Sequence, residues 1–461
     1  MFEKKTKIVC TIGPSSWDPE IMKGMVENGM NCARVNGAFA DPNELDKVRK
    51  LVKDVSSEVS LMVDVKGPEV RMNKFSKPKS IREGDIITIG NSEKDEIYPA
   101  NYKDLYTFLK PGQRIVVGDG DVELILREKK GDQMICEVTY GELLKPGKAL
   151  NLPGAEYSSE VLTEKDIINL KHAIKTGWDF VSASFIQNAE AAKTVSKFLE
   201  GSRMKLIAKI EDQEGIDNIE EILEHVEGIM IARGGLGIEL GLENVPLAQQ
   251  YLTMKANEAG KPVITATQMM ESMINNPRPT RAEVNDVATA IMLGSDAVML
   301  SAESSAGKHP VETVKALSNI AIAIENGLVP DIIQEQAHGS ITTDAISKAA
   351  AQMCINGNID KVIVVSRTGR TARLIGRHGI TQPMYVFTKD DYYARRMMLS
   401  KGINRTFVHA GGASDRDEAV NTIIKKCLDL GIIKHGENIL FIAKSPLKEK
   451  YFPNVFEVIS V

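Results

Sequence analysis

The sequence predicts an α/β protein: a (β/α)₈ TIM barrel, interrupted by a small β-barrel lid domain and followed by a C-terminal α/β domain. Three observations lead there. Short apolar runs alternate with helical periodicity on both sides of a central stretch, that stretch reads instead with period 2, and a polar linker precedes a last α/β unit. At 461 residues the chain has room for about three domains, each with its own core. The expected boundaries are 1–70 and 154–330 for the barrel, 71–153 for the insert and 336–461 for the C-terminal domain.

The first strand is Lys7-Ile8-Val9-Cys10-Thr11-Ile12, stopped by Gly13-Pro14, with a helix starting near Asp18. A second strand at 31–36, a helix from Pro42 to Val55 and a third strand at 60–64 complete a βαβαβ rhythm. Between about Arg71 and Pro153, alternating segments such as 85–89, 113–117, 122–126 and 134–138 are separated by Gly and Asp turns, as in an all-β insert. The βα rhythm then resumes with helices at 163–176 and 189–199 and strands at 180–184, 205–209, 228–232, 262–266 and 297–301. The strands sum to eight, the number a (β/α)₈ barrel requires. In the last domain, helices are expected from Asp344 and Thr371 and strands at 361–365 and 438–442.

Composition excludes several classes. Lysine and arginine total 57 against 62 acids, a net charge of −5, so a general nucleic-acid binder is not expected and any anion must be gripped by local basic groups. No run approaches the roughly 18 apolar residues of a membrane span, and the apolar stretch Ile8 to Ile12 is too brief for a signal-peptide core. The five cysteines are scattered without metal-ligand spacing and read as reduced core thiols, so a cytoplasmic location is expected.

Chemistry concentrates at the C-terminal ends of the barrel strands, where such barrels place their active sites. Arg34, Asn36, Asp64, Lys66, Arg71, Lys209, Glu211 and Thr267 all fall at or just beyond those ends. Phosphoryl transfer needs that set: cations around the migrating group, a carboxylate for a divalent metal and a pocket that keeps water out. The segment Arg233-Gly234-Gly235-Leu236-Gly237 follows a strand and opens a helix, where main-chain N–H groups can hold a carboxylate.

Four motifs in order carry a resemblance: Ala208-Lys209-Ile210-Glu211-Asp212, Met230-Ile231-Ala232-Arg233-Gly234-Gly235-Leu236-Gly237-Ile238-Glu239, Thr265-Ala266-Thr267-Gln268-Met269 and Pro277-Arg278-Pro279-Thr280-Arg281-Ala282-Glu283. Together with the domain order, they resemble the pyruvate kinase family over nearly the full chain. The resemblance implies transfer of phosphate from phosphoenolpyruvate to ADP, giving pyruvate and ATP, with Mg²⁺ or Mn²⁺, in a homotetramer. It implies catalytic roles for Arg34 and Lys209 at the phosphoryl group and Thr267 near the methyl of bound pyruvate. Gly234 and Gly235 would hold the substrate carboxylate through main chain, Arg71, at the hinge of an insert that closes as a lid over the nucleotide, would bind the nucleotide, and Glu211 would bind the divalent metal. Asn36, Asp64 and the carbonyl of Val65 match monovalent-cation ligands. Ser366-Arg367-Thr368-Gly369-Arg370-Thr371 matches a loop that binds phosphorylated effectors, with an ordinary helix cap as the alternative.

The chain departs from the family at one pocket. Gly235 stands where the family has a second metal-binding aspartate, and Asp212, adjacent to Glu211, is a candidate replacement. Asn36-Gly37-Ala38-Phe39-Ala40 stands where the family reads Asn-Phe-Ser-His-Gly, which removes a hydroxyl ligand for K⁺ and a histidine near the nucleotide. Lys66-Gly67-Pro68-Glu69-Val70-Arg71 is retained. These departures leave two other readings open: a catalytically weak paralogue that binds a phosphorylated or 2-oxo acid metabolite, and a metal-dependent enzyme that decarboxylates or enolises a 2-oxo acid. Gly307-Lys308 lacks the surroundings of a phosphate loop, Gly118-Asp119-Gly120-Asp121 reads as a turn, and the seven histidines form no ligand pair.

Overall fold

The computed structural model describes residues 4–67, 69–91, 97–101, 105–118, 120–155, 161–409, 416–443 and 455–461; Pro68 and Asp119 of the motifs above lie outside them. Eight parallel strands close into a barrel: β1 (Lys7–Thr11), β2 (Cys32–Asn36), β3 (Ser60–Val65), β4 (Phe180–Ala183), β5 (Lys205–Ile210), β6 (Gly228–Ala232), β7 (Val263–Ala266) and β8 (Ala297–Leu300). Each pairs with its neighbour in sequence and β8 returns to β1, with registers such as Ile207 opposite Gly228 and Lys7 opposite Ala297. The expected strands match within a residue or two, because each is a short apolar run ended by local turn chemistry. The expected helices do likewise. Asp18 caps Pro19–Glu27, Asp41 caps Pro42–Val55 and Thr163 caps Glu164–Thr176 with a capping box, each oxygen taking up orphan N–H groups.

The barrel interior is packed rather than hollow. Val9, Cys32, Met62, Phe180, Ile207, Met230, Ile264 and Met299 fill it, and outward-facing strand residues pack the surrounding helices. The insert after β3 is a six-stranded sheet curled into an open half-barrel, with a separate pair formed by Lys79–Ser80 and Leu143–Leu144. Its core is independent, built on Ile87, Ile89, Leu124, Leu126 and Val138. The chain enters and leaves through one neck, where the Leu150 amide donates to the Val70 carbonyl and the Met72 amide to Lys148.

The C-terminal domain is a five-stranded sheet of β9 (Lys361–Val365), β10 (Met384–Thr388), β11 (Ile403–Val408), β12 (Asn438–Ala443) and β13 (Val455–Ser460), in the order β11-β10-β9-β12-β13. Only β13 runs antiparallel, against β12. The helices expected from Asp344 and Thr371 start slightly earlier, at Ile341 and Arg370. This domain closes the N-terminal end of the barrel, with Leu399 joining the interior cluster. Asp179, Glu227 and Asp296, which precede β4, β6 and β8, meet Arg395, the pair Arg373 and Arg396, and the Lys401 amide. The opposite, C-terminal end of the barrel is thereby left for chemistry. Among the described residues, no helix is long and apolar enough to cross a membrane.

Candidate active site

At that end, β2, β3 and β5 bring four charged groups together, with β4 supplying a serine between them. Arg34 donates to Asp64 Oδ2 at 2.6 Å and to Thr11 Oγ1 at 2.7 Å, and the Thr11 hydroxyl is anchored on the Leu300 carbonyl. Asp64 Oδ1 accepts from the Ser182 hydroxyl at 2.6 Å and lies 3.7 Å from Lys209 Nζ. Lys209 Nζ donates to Ser184 Oγ at 2.6 Å and lies 3.2 Å from Glu211 Oε1. Glu211 Oε2 accepts from the Phe185 amide at 2.9 Å.

The electrostatics follow from burial and pairing. Burial alone would raise the pKa of Asp64, but Arg34, Lys209 and the Ser182 hydroxyl outweigh it and hold the carboxyl below the usual range. Burial would lower that of Lys209, but Asp64 and Glu211 raise it above its ordinary value. Lys209 is therefore a fixed ammonium at neutral pH. It is suited to stabilising negative charge rather than to taking up a proton.

A second wall comes from β6 and β7. The helix Arg233–Leu240 starts directly at the end of β6, and the Gly234 amide donates to Thr267 Oγ1 at 3.0 Å. Thr267 and Gln268 have φ of +69° and +54°, a region costly for a β-branched residue and found where surrounding contacts impose it. Arg233, nearly buried, imposes it here. Its guanidinium donates to the carbonyls of Ala266 and Thr267 and pairs with Asp286 at 2.7 Å.

The structure settles where the departures sit. A Cβ on Gly235 would lie 3.1 Å from Glu211 Cβ and 3.2 Å from the Glu211 carbonyl, so this glycine abuts the backbone and Cβ of the residue expected to carry the metal-binding carboxylate. Asp212 does not replace the missing acid. It caps the short helix Gln213–Asp217 by accepting from the Gly215 amide at 2.9 Å, and its other oxygen accepts from Gln187 at 2.7 Å. β5 has ended at Ile210, so the backbone turns Asp212 toward the helix. Among the described residues, no group of three His, Cys, Asp or Glu could cage a metal. Glu211 still fits Mg²⁺ or Mn²⁺, which commonly bind one or two protein carboxylates and complete their shell with substrate oxygens and water.

The loop after β2 changes as a unit. The Gly37 amide donates to the Asp64 carbonyl at 2.8 Å, and a Cβ there would come within 2.4 Å of that oxygen, so the close approach requires glycine. Phe39 is exposed and Ala38 carries no hydroxyl. The Asn36 side-chain oxygen accepts from the Ala38 amide and the Val65 carbonyl from the Ser184 amide, while both Asp64 oxygens are engaged. This donor set is a poor fit for K⁺, since two side-chain cations already serve its carboxylate.

Arg71 sits at the neck of the insert, bound to Glu69 at 2.6 Å and to the Gly147 carbonyl, and Lys66 pairs with the same carboxylate. In the C-terminal domain, Ser366 Oγ accepts from the Gly369 amide, Gly369 has φ +79°, and Arg370-Thr371 open the helix Arg370–Gly376. Arg367 and Thr368 lie in the turn between. A cavity of about 590 Å³, lined by Gly154, Gln213, Glu239, Leu240, Leu247 and Tyr251 among others, lies away from Lys209 and Thr267. Thr11, Ser182 and Ser184 escaped the sequence reading. For the two serines, the alternation of Ser182 on β4 with Ser184 just beyond it was the one available signal.

The pattern "Pyruvate kinase, barrel domain" matches residues 3–314, and "Pyruvate kinase, alpha/beta domain" matches residues 344–459. The chain belongs to the pyruvate kinase family. It is 36% identical to a pyruvate kinase of Geobacillus stearothermophilus, over 99% of this chain and 80% of that protein. It is also 36% identical to one of Borreliella burgdorferi, over 97% of this chain and 95% of that one. A crystal structure of a pyruvate kinase from Cryptosporidium parvum superposes with a TM-score of 0.91 at 29% identity, covering 99% of this chain and 96% of that one. The family is one of phosphotransferase enzymes.

Proposed function

We propose that this chain transfers the phosphoryl group of phosphoenolpyruvate to ADP, with its divalent cation held through a single protein carboxylate, at reduced efficiency and with reduced dependence on K⁺. The observation that carries this reading is the convergence of Arg34 on β2 and Lys209 on β5 about the Asp64 carboxylate, with Glu211 3.2 Å from Lys209. Arg34, gripped by Thr11 and Asp64, and Lys209 present two fixed positive charges to the phosphoryl oxygens. Glu211 would hold the Mg²⁺ or Mn²⁺, which when bound neutralises charge on phosphate and enolate oxygens. The Gly234 and Gly235 amides would orient the substrate carboxylate, and the Thr267 hydroxyl would help deliver the proton to the enolate carbon. Arg71 places a cation where the lid would cover the nucleotide. The Ser366 to Thr371 turn is proposed to take a phosphorylated effector, and the assembly is proposed to be a homotetramer.

The test is a lactate dehydrogenase-coupled assay with phosphoenolpyruvate and ADP, comparing Mg²⁺ with Mn²⁺, each with and without K⁺. Turnover above about 1 s⁻¹, the low edge for kinases, with little response to K⁺, is the expected outcome. No turnover under any ion condition would sink this reading. That result would favour a metabolite-binding paralogue or a metal-dependent enzyme that decarboxylates or enolises a 2-oxo acid.

A further inference from the structure

Ser184 and Phe185 follow β4 and belong to none of the roles assigned above. Yet the first accepts from Lys209 Nζ at 2.6 Å, and the second donates its amide to Glu211 Oε2 at 2.9 Å. Phe185 pays for this with φ of +54°, a region bulky residues rarely occupy, which marks a conformation forced by its surroundings. The forcing contacts are visible. The Ser184 amide donates to the Val65 carbonyl at 3.2 Å, and the Phe185 ring borders Gly67, where a Cβ would lie 3.5 Å from ring atom Cδ2.

We infer that Ser184 and Phe185 are positioning residues: the Ser184 hydroxyl centres the Lys209 ammonium, and the strained Phe185 amide fixes the Glu211 carboxylate. Lys209 Nζ has two carboxylates within 4 Å, Glu211 at 3.2 Å and Asp64 at 3.7 Å. Without the hydroxyl, the ammonium moves onto these acids and away from the phosphoryl group. Ser184 touches neither metal nor substrate in this account and acts through Lys209.

This inference rests on the phosphotransferase reading, so its test has two arms. Ser184→Ala, a change that removes one buried oxygen, is expected to lower kcat by about 10- to 100-fold while the KM for phosphoenolpyruvate stays within about threefold, the signature of an interaction needed in the transition state. Independently of turnover, trinitrobenzenesulfonate labelling of Lys209, followed at the peptide level, is expected to slow at least about threefold in the variant as the amine becomes more tightly ion-paired. The thermal midpoint should not move. An inactive parent whose Lys209 labelling slows in the variant would remove the phosphotransferase reading and leave the positioning role standing. A kcat within twofold of the parent, or unchanged labelling accompanied by a fall in thermal midpoint, would overturn the inference.

Discussion

A Cβ on Gly235 would meet the Cβ and carbonyl of Glu211, so an aspartate there would lie beside the residue that carries the existing carboxylate. Gly235→Asp is expected to raise kcat with Mg²⁺ by about 10²-fold, the scale of one well-placed electrostatic contact in a transition state. It should also cost about 1 kcal/mol of stability, because Cβ would sit 3.1 Å from Glu211 Cβ and strand-end atoms must give way. Steady-state kinetics and urea unfolding of the same preparation check both halves. An unchanged kcat would show that the second carboxylate does not limit this pocket. At the same scale, Asp212 shows why adjacency in sequence misleads: one residue past a strand end, its side chain serves a helix N-terminus instead of the site.

Among the elements, the turn after β7 depends most on a distant side chain. Arg233, at the start of its helix, ties down the carbonyls of Ala266 and Thr267 and reaches Asp286 on the helix Arg281–Met292. That grip holds Thr267 at positive φ with its hydroxyl against the Gly234 amide. Arg233→Met leaves Asp286 and two loop carbonyls without their partner, and is expected to cost about 3 kcal/mol, measured by urea unfolding. It should also lower kcat by more than tenfold as Thr267 loses its orientation. Retention of full kcat with lost stability would confine Arg233 to a structural role.

Across the molecule, the barrel and the C-terminal domain are joined by carboxylates at strand beginnings. Glu227, buried but held by Arg373 and Arg396, has its pKa lowered from 4.5 to about 2, since the two guanidinium groups overcome the opposing effect of burial. A carboxyl with a depressed folded-state pKa stabilises fully above its unfolded value and loses that contribution as pH falls toward the folded one. The contribution is therefore about 3 kcal/mol at pH 7 and declines between about pH 5 and 2. Glu227→Gln should lower unfolding stability by about that amount at pH 7, and the gap to the parent should narrow by more than half at pH 3. A gap independent of pH would assign the loss to packing rather than charge.

The sequence by itself determined the barrel, its insert and its appended domain. Strand and helix bounds follow from apolar period, capping residues and Gly or Pro stops, all of which act within a few positions. Lys209, Glu211, Arg34 and Thr267 were legible as polar residues at or just beyond strand ends, and the structure places them there. Only the tertiary structure decided which oxygen meets which cation: Ser184 on Lys209, Thr11 on Arg34, Arg233 under Thr267, Arg396 on Glu227. These contacts join residues 23 to 169 positions apart, and side-chain direction at a strand end depends on how the chain leaves the sheet, which no local period encodes.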